Sequence, residues 1–485
     1  MSLFVCNCGG VLLYYSLAAS RFFYRGVFIL TKSRFFREFF EDKEFFQRFV
    51  RIMLPIAGQN LIMVGISMAD TLMVGRLGDV QLSSVALANQ LGFVLQLILF
   101  GTTSGGNVLI AQFWGKGDVQ SIHKVMTIIY RILAVASVVI TMLAVFFSRQ
   151  VLSIFTTVPE VIESGAAFLR IVGLGYTIHC FGASSMMVLR AVGTVNVSLI
   201  VYLASLCTNV FCNWVFIFGN LGAPALGVEG AAIATVMSRV AELIIVLVFL
   251  IRREKLIRYR LRMFFTRNLG ILRNFVKNSG PVVLNEFLWG LGSTTVAVIV
   301  GRMGTEFTAA NSIASVLIQL VSIGIFGAGN ASAVIIGNTV GSGRYQLARE
   351  RAMRLVVISL CLGVFAMMLT LVLKGPILSL YSISETSKTY ANYMMTIFAV
   401  LVNFMSFGMV ALIGVLRGGG DTRFVAFVDV LSIWLVAIPL GFLSGHVWGW
   451  SVPAVYIMLK CDELVKTAVT LPRLLKGKWV KDLTL

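Results

Sequence analysis

"GISMADTLMVGRLG", residues 65–78, closes an apolar run that begins near Pro55 and holds one carboxylate, Asp70, inside it. A second run begins at Pro281 and ends in the similar "GRMG" of residues 301–304. Laid over itself with Pro55 on Pro281, the chain puts Ser67 on Ser293, Gly101 on Gly327 and Val108 on Val334 without a gap. The same register puts Gly115 on Gly341 and Gly117 on Gly343. One residue further on, "LRAVG" at 189–193 meets "LRGGG" at 416–420. Any single match is weak. One register held that far marks an internal repeat.

What is repeated is set by composition. Of the 485 residues, 58% are apolar and only 13% charged, with a mean hydropathy of +0.91. A soluble protein of this length carries far more charge on its surface, so these values indicate many membrane spans. The net charge of +19 sits in short connections beside apolar runs. That suits an anionic membrane leaflet rather than nucleic acid. No nucleic-acid motif is present.

Twelve stretches are long enough to cross as helices of about 20 residues: near 54–76, 89–113, 124–148, 164–189, 196–219, 228–251, 280–301, 311–338, 352–374, 389–416, 422–443 and 447–470. Helices satisfy their own backbone in lipid. Basic residues orient them. Arg34, Arg37, Lys43, Arg48 and Arg51 precede span 1, and a long basic connection runs from Arg252 to Lys277. Arg344, Arg349, Arg351 and Arg354 follow span 8, and Arg473, Lys476, Lys478 and Lys481 close the chain. All fall on one side, so both termini are expected in the cytoplasm. The implied organisation is an N-terminal extension with an amphipathic interfacial helix (1–53), an N-lobe of spans 1–6 (54–251), a basic linker (252–279), a C-lobe of spans 7–12 (280–470) and a basic tail (471–485). The helix is read in "RFFREFFEDKEFFQRFV", whose phenylalanines recur at helical spacing among charges. An even number of spans per half gives both halves one orientation, a parallel repeat. The fold class is thus all-α and integral to the membrane, with twelve helices in two pseudo-symmetric lobes. Two lobes that enclose a cleft and can rock form a transporter architecture.

An acid deep in a bilayer costs about 2.5–3.5 kcal/mol on insertion scales and reads as functional by default. Asp70 lies about 22 Å along span 1 from Pro55 at 1.5 Å per residue, with Asn60, Ser67 and Thr71 on a similar face. It can take up a proton or coordinate a hard cation such as sodium. In the second half Val296 stands opposite Asp70, and Glu286 opposite Asn60. Glu286 and Asp429 both lie about 10–12 Å deep from the inner side, so spans 7 and 11 facing each other would let them share one site, which could hold Na+. Glu463 with Lys466, and Arg239 with Glu242, read as structural or snorkelling pairs near inner helix ends. Arg131 reads as snorkelling, and His179 with Tyr176 as a satisfied interior pair. The cysteines are scattered without a disulfide or zinc spacing. "GTTSGG" and "GGG" lack the ending of a phosphate loop, so ATP hydrolysis is not expected.

These features resemble the multidrug and toxic compound extrusion (MATE) family of bacterial type over roughly residues 40–485. The carriers are "MADTLMVGRLG", "AQFWGKGD", "LRAVGTVN", "NVFCNWVFIFG", "GVEGAAIATVMSR", "GRMGTEFTAANSIAS" and "LRGGGDTR". The resemblance implies efflux of drug-like, often cationic compounds in exchange for inward-moving sodium or protons. It implies that Asp70 is the family's span-1 aspartate and that Asn209 matches its span-5 asparagine. Asn213 stands where many members have an aspartate, a departure that removes one charge. Thr235 matches a span-6 threonine. No cofactor beyond the coupling ion is implied. The expected partners are small organic substrates and membrane lipids, the expected state a monomer in the cell membrane. A lipid-linked sugar flippase would line its cleft with several arginines or lysines. An integral membrane transferase would need paired acids or a histidine nucleophile at one face.

Overall fold

A computed structural model describes residues 42–254, 256–266, 270–381 and 384–484. The extension 1–41 and the first half of the phenylalanine-rich stretch lie outside the described residues. Among the described residues there is no strand. Beside short helical turns at Ser148–Ser153, Asn220–Gly222 and Leu261–Phe265, twelve main helices follow in chain order: α1 Lys43–Gly75, α2 Asp79–Lys116, α3 Val119–Phe146, α4 Pro159–Ala191, α5 Asn196–Phe218, α6 Val228–Arg252, α7 Leu272–Gly301, α8 Thr305–Gly341, α9 Tyr345–Ser379, α10 Glu385–Arg417, α11 Thr422–Val447, and α12 in two pieces, Val452–Lys460 and Asp462–Leu475. Of these, 11 are long and apolar enough to cross a membrane. The exception is α12, whose two pieces of 9 and 14 residues are each too short and meet where Lys460, Asp462, Glu463 and Lys466 cluster.

The chain divides into compact units at 1–51 and 52–485. In the first, residues 42–51 enter α1, with the Asp42 carboxylate accepting from the Phe45 N–H at 3.0 Å and the Phe45 ring stacked on Phe49. The expected interfacial helix is thus, in its described half, the opening of the same helix that carries span 1. Among the described residues, the second unit holds two large clusters of buried apolar side chains. One joins α1–α6 through residues such as Leu99, Ile129, Leu169 and Val201. The other joins α7–α12 through Phe307, Leu317, Met394 and Tyr456. Each half therefore buries its own apolar centre, as a repeated lobe must.

The repeat's glycines have physical reasons. Gly78 and Gly304, which end "GRLG" and "GRMG", stand at φ 124° and 118° before α2 and α8, a region open mainly to glycine. Gly115 backs onto the Asn338 carbonyl, and Gly341 onto the Gln112 carbonyl. A side chain at either would overlap backbone. The pseudo-symmetry of these contacts is internal to the repeat register, since Gln112 and Asn338 are themselves equivalent. Lipid supplies little drive for helix association, so close approach through small residues does that work. The two lobes accordingly meet where α2 and α8 end, the end that also carries the basic connections.

That end is strapped by the tail. The Gln112 amide donates to the Lys481 carbonyl at 3.1 Å and accepts from the Leu483 N–H at 2.8 Å. Asn274 donates to the Leu483 carbonyl at 2.9 Å. The Lys481 N–H donates to the Gly419 carbonyl at 2.8 Å, while its ammonium and Arg473 hold Asp421. Trp479 is buried against Gly419. The connection between lobes docks on α3: His123 meets the Ile257 carbonyl at 2.5 Å, and Arg131 donates to the Phe264 and Thr266 carbonyls. Arg131 therefore anchors the connection rather than snorkelling. The last turns assigned to the linker, 272–279, belong to α7.

The α2–α3 turn gives a first prediction. Asp118 caps α3, its carboxylate accepting from the Ser121 N–H at 3.0 Å and from its hydroxyl at 2.6 Å. Slight burial pushes the carboxyl upward, but the Ser121 donors outweigh it and hold Asp118 below its usual range. Its contribution is therefore full above the unfolded-state value and fades as pH falls through the lowered folded value. Asp118→Ala should cost about 0.5–2 kcal/mol in thermal unfolding at neutral pH, and less at strongly acidic pH.

Candidate functional site

Asp70 lies on the wall of a cavity of about 280 Å³ inside the N-lobe, lined also by Asn89, Tyr202, Thr235 and Arg239. The Asn213 side chain, from α5, donates to the Asp70 carboxylate at 2.6 Å and to the side-chain amide oxygen Oδ1 of Asn209 at 3.2 Å. Both asparagines are buried. Their other amide atoms, Asn209 Nδ2 and Asn213 Oδ1, have no partner, and buried polar atoms left that way await one. The helical spacing of 209 and 213 sets the two amides one turn apart on the face toward α1. Thr235 lies on the same wall, its hydroxyl bonded back to the Ala231 carbonyl at 3.0 Å. Asp70, Asn209, Asn213 and Thr235 are thus brought together. Asn60 is half-buried and lines neither this cavity nor its neighbour.

The neighbour is larger, about 640 Å³, and shares Ser67, Asn89, Thr235 and Arg239 with the first. Gln90, Gln96, Tyr176 and His179 extend it. Behind Arg239 lies a buried network. The Glu242 carboxylate, fully out of solvent, accepts from Arg239 at 2.7 Å and from the Ser205 hydroxyl at 2.6 Å. His179 Nδ1 stands 3.7 Å from its second oxygen, and His179 Nε2 lies 3.3 Å from Gln96 Oε1. Arg239 and Glu242 therefore do not snorkel at a helix end. They hold a charge pair at the cavity wall. The Tyr176 hydroxyl has no partner, so the expected satisfied pair with His179 is absent.

The C-lobe corrects a second expectation. Glu286 and Asp429 do not form one acidic site, because each has its own basic partner. Arg417, from the end of α10, donates to Glu286 at 2.9 Å. Lys466, from α12, lies 3.0 Å from Asp429, 3.0 Å from Asp462 and 3.5 Å from Glu463. It is Asn285, the neighbour of Glu286, that reaches Asp429, at 3.1 Å. Each of the two acids thus already faces a cationic side chain, Arg417 at Glu286 and Lys466 at Asp429. Lys466 is buried and not snorkelling. Arg417 and Lys466 were visible in the sequence as basic residues beside or within apolar runs; what hid their role was the lack of any sign of which helices face each other. Among the described residues no group of three or more His, Cys, Asp or Glu is arranged to hold a metal ion. The Asp70 wall offers one carboxylate with amide and hydroxyl oxygens, a donor set that suits a hard monovalent cation or a proton.

Comparison with known proteins agrees with this architecture. The sequence profile of the MatE family matches residues 55–215 and again 281–443, and the two matches start at the same residues, Pro55 and Pro281, that open the repeat. A probable multidrug resistance protein NorM of Thermotoga maritima is 24% identical over 443 residues, covering 91% of this chain and 94% of the relative. One from Agrobacterium fabrum is 26% identical over 436 residues, covering 85% and 92%. Among solved structures, a MOP superfamily transporter of Pyrococcus furiosus superposes with a TM-score of 0.80 at 19% identity, covering 90% of this chain and 96% of that one. A MATE transporter of Vibrio cholerae gives 0.80 at 15% identity, covering 91% and 98%. Likeness at that level speaks to the fold. Matched once in each lobe by the family's profile, and folded as its solved members are, this chain belongs to the multidrug and toxic compound extrusion family of membrane transporters.

Proposed function

We propose that this protein exports drug-like, often cationic organic compounds across the cell membrane in exchange for an inward-moving cation, Na+ or H+. The observation that carries this reading is Asp70 on a cavity wall shared with a larger, amide-rich cavity. A carboxylate loaded by a small cation loses its charge toward an organic cation next door, so loading and drug binding favour different arrangements of the lobes. The printed names of the NorM relatives as multidrug resistance proteins support the substrate class. With the basic connections in the cytoplasm, both termini lie inside, and the lobes meet at the inner end, which leaves the outer side to open.

The flippase alternative needs free basic groups. Arg239, Arg417 and Lys466 are each matched by a carboxylate; Arg190, which donates to the Gln59 amide oxygen at 2.7 Å, is the exception. For the Pyrococcus furiosus transporter, a reversed polarity of the binding pocket is taken to suggest a different function. In this chain the pocket carries Asp70 and neutral amides, and its one arginine, Arg239, is already paired with Glu242, which favours cations.

The test is transport in proteoliposomes, with a fluorescent organic cation as probe and Na+ and H+ gradients imposed separately. Uptake driven by one gradient and abolished by its collapse is expected. Equal uptake with and without either gradient would refute coupling.

A further inference from the structure

Four ionisable side chains converge in the C-lobe where α11 meets α12. The Lys466 ammonium is the hub, with Asp429 and Asp462 at 3.0 Å and Glu463 at 3.5 Å. Its side chain is 8% exposed, that of Asp429 11%, and that of Glu463 23%. Other charges whose fields reach the cluster are Lys460, on α12, and Arg417, from α10, the latter already bonded to Glu286. Asn285, from α7, supplies the one neutral donor, to Asp429. Three carboxylates thus crowd one ammonium.

A second observation points to something missing. Asn285 is 1% exposed, and its carbonyl oxygen, on the amide that touches Asp429, accepts nothing. A buried acceptor of this kind calls for a donor, and the lysine's neighbours have none while all three are ionised. A carboxyl proton would supply one. The backbone makes room for such chemistry. The last turns of α10, Gly408–Arg417, and the turn after Asp429, Ser432–Ala437, are wound as π-helix, a winding common at functional sites. At Gly408 an added Cβ would lie 3.4 Å from a Glu463 oxygen, so the glycine leaves that carboxyl space.

We propose that Asp429, Asp462, Glu463 and Lys466 form a proton-binding site in the C-lobe, in which the Lys466 ammonium stands where an inorganic cation would sit, so that the site takes H+ and rejects Na+. Three carboxylates gathered on one ammonium in a site sheltered from water favour a proton on one of them. One proton, shared among the three carboxyls, lowers the excess negative charge and provides the missing donor. The proton comes from water at the inner surface and leaves the same carboxyl oxygen when the surroundings open. Its part in transport rests on the cation-coupled reading above; its existence does not.

The experiment is an infrared titration of the full-length protein in nanodiscs, in H2O and D2O, reading the protonated-carboxyl C=O band. The parent for the titration carries Asp70→Asn, so that the N-lobe acid adds no band of its own. This parent should keep a protonated-carboxyl band at neutral pH, and saturating NaCl should leave it in place. Glu463→Gln, Asp462→Asn and Asp429→Asn added to it should each remove the band, because any one amide relieves the crowding and offers its own donor. Three isosteric variants guard against one failing to fold. A parent band that persists in all three, or no band at all, overturns the site. Loss of the parent band on adding Na+ overturns the selectivity. Uptake that no gradient drives in the proteoliposome test would refute coupling while leaving this band untouched, so the two failures are distinguishable.

Discussion

Asp70→Asn is expected to bring cation-driven export down to the level of empty liposomes while leaving the protein folded. The substitution is isosteric. An asparagine at 70 can still accept the Asn213 hydrogen bond now made at 2.6 Å, so thermal stability should change by no more than about 1 kcal/mol, the usual worth of one such bond. What disappears is the only ionisable acid on the cavity wall. One cation entering for each organic cation leaving cancels the charge moved, so a tenfold gradient of the entering cation supplies about 1.4 kcal/mol and about a tenfold accumulation ratio. An amide cannot carry that charge inward, so the gradient-driven part of the ratio should collapse toward one. Binding of the organic cation, measured by fluorescence in detergent, should weaken less than transport does. Full gradient-driven uptake by a stably folded Asp70→Asn would remove Asp70 from the mechanism.

The departure at Asn213 supplies the converse. Asn213→Asp places a second carboxylate against Asp70, and two acids so close compete for one cation or proton. Thermal stability of this variant should therefore rise with added Na+ or falling pH more steeply than that of the wild type. Identical responses would mean that no cation visits the wall.

How far the sequence reveals this molecule depends on what each feature requires of its neighbours. The spans are local. A run of about 20 apolar residues crosses lipid whatever surrounds it, so the existence and order of α1–α11 are legible, but α1, α2 and α7 begin well before their apolar runs, at Lys43, Asp79 and Leu272, because polar turns extend a helix beyond the stretch that lipid requires. The repeat is legible because its glycines answer to backbone needs, a positive φ at Gly78 and Gly304 and a close crossing at Gly115 and Gly341. Of the Asp70 site, only Asp70 is legible from the residues, as a lone acid in an apolar run; Asn209, Asn213 and Thr235 enter through the family resemblance, because amides and a hydroxyl in apolar helices carry no local sign of what they face. The partners of Glu286 and Asp429 are not. They depend on which helix faces lie opposite, and nothing local in "LRGGG" or "DELVK" tells that Arg417 will meet Glu286 or that Lys466 will meet Asp429. The same holds for α12. Its charges look like those of a helix end near water, and only the packing of α11 and α10 against it makes them interior.

Gly341→Ala should disable transport from a position that touches neither cavity. Its added methyl would overlap the Gln112 backbone carbonyl, and backbone does not yield as a flexible side chain does. Overpacking of this kind costs about 1–3 kcal/mol, and the whole cost falls on the arrangement in which α2 and α8 cross. Since 1.4 kcal/mol is a tenfold shift in an equilibrium, the population with the lobes together at the basic end should fall by about fivefold to somewhat over a hundredfold. The tail is strained with it, because the displaced residue, Gln112, is the one that holds Lys481 and Leu483. Gly115→Ala meets the Asn338 carbonyl in the same way and should act alike, whereas Gly343→Ala, with open space around its Cβ but φ of 75°, should cost local strain without parting the lobes. Spin labels on Lys124→Cys and Gln346→Cys, in an otherwise cysteine-free chain, would report the separation directly. Longer distances in Gly341→Ala and Gly115→Ala, unchanged ones in Gly343→Ala, and slower cycling in the first two are expected. Unaltered distances with full transport in Gly341→Ala would mean that the crossing of α2 and α8 is not the contact that closes this end. A transporter has to break and remake that contact in every cycle, and that is why bare glycine at the crossing matters more here than in a static bundle: the two surfaces meet through backbone, with no interdigitated side chains to withdraw.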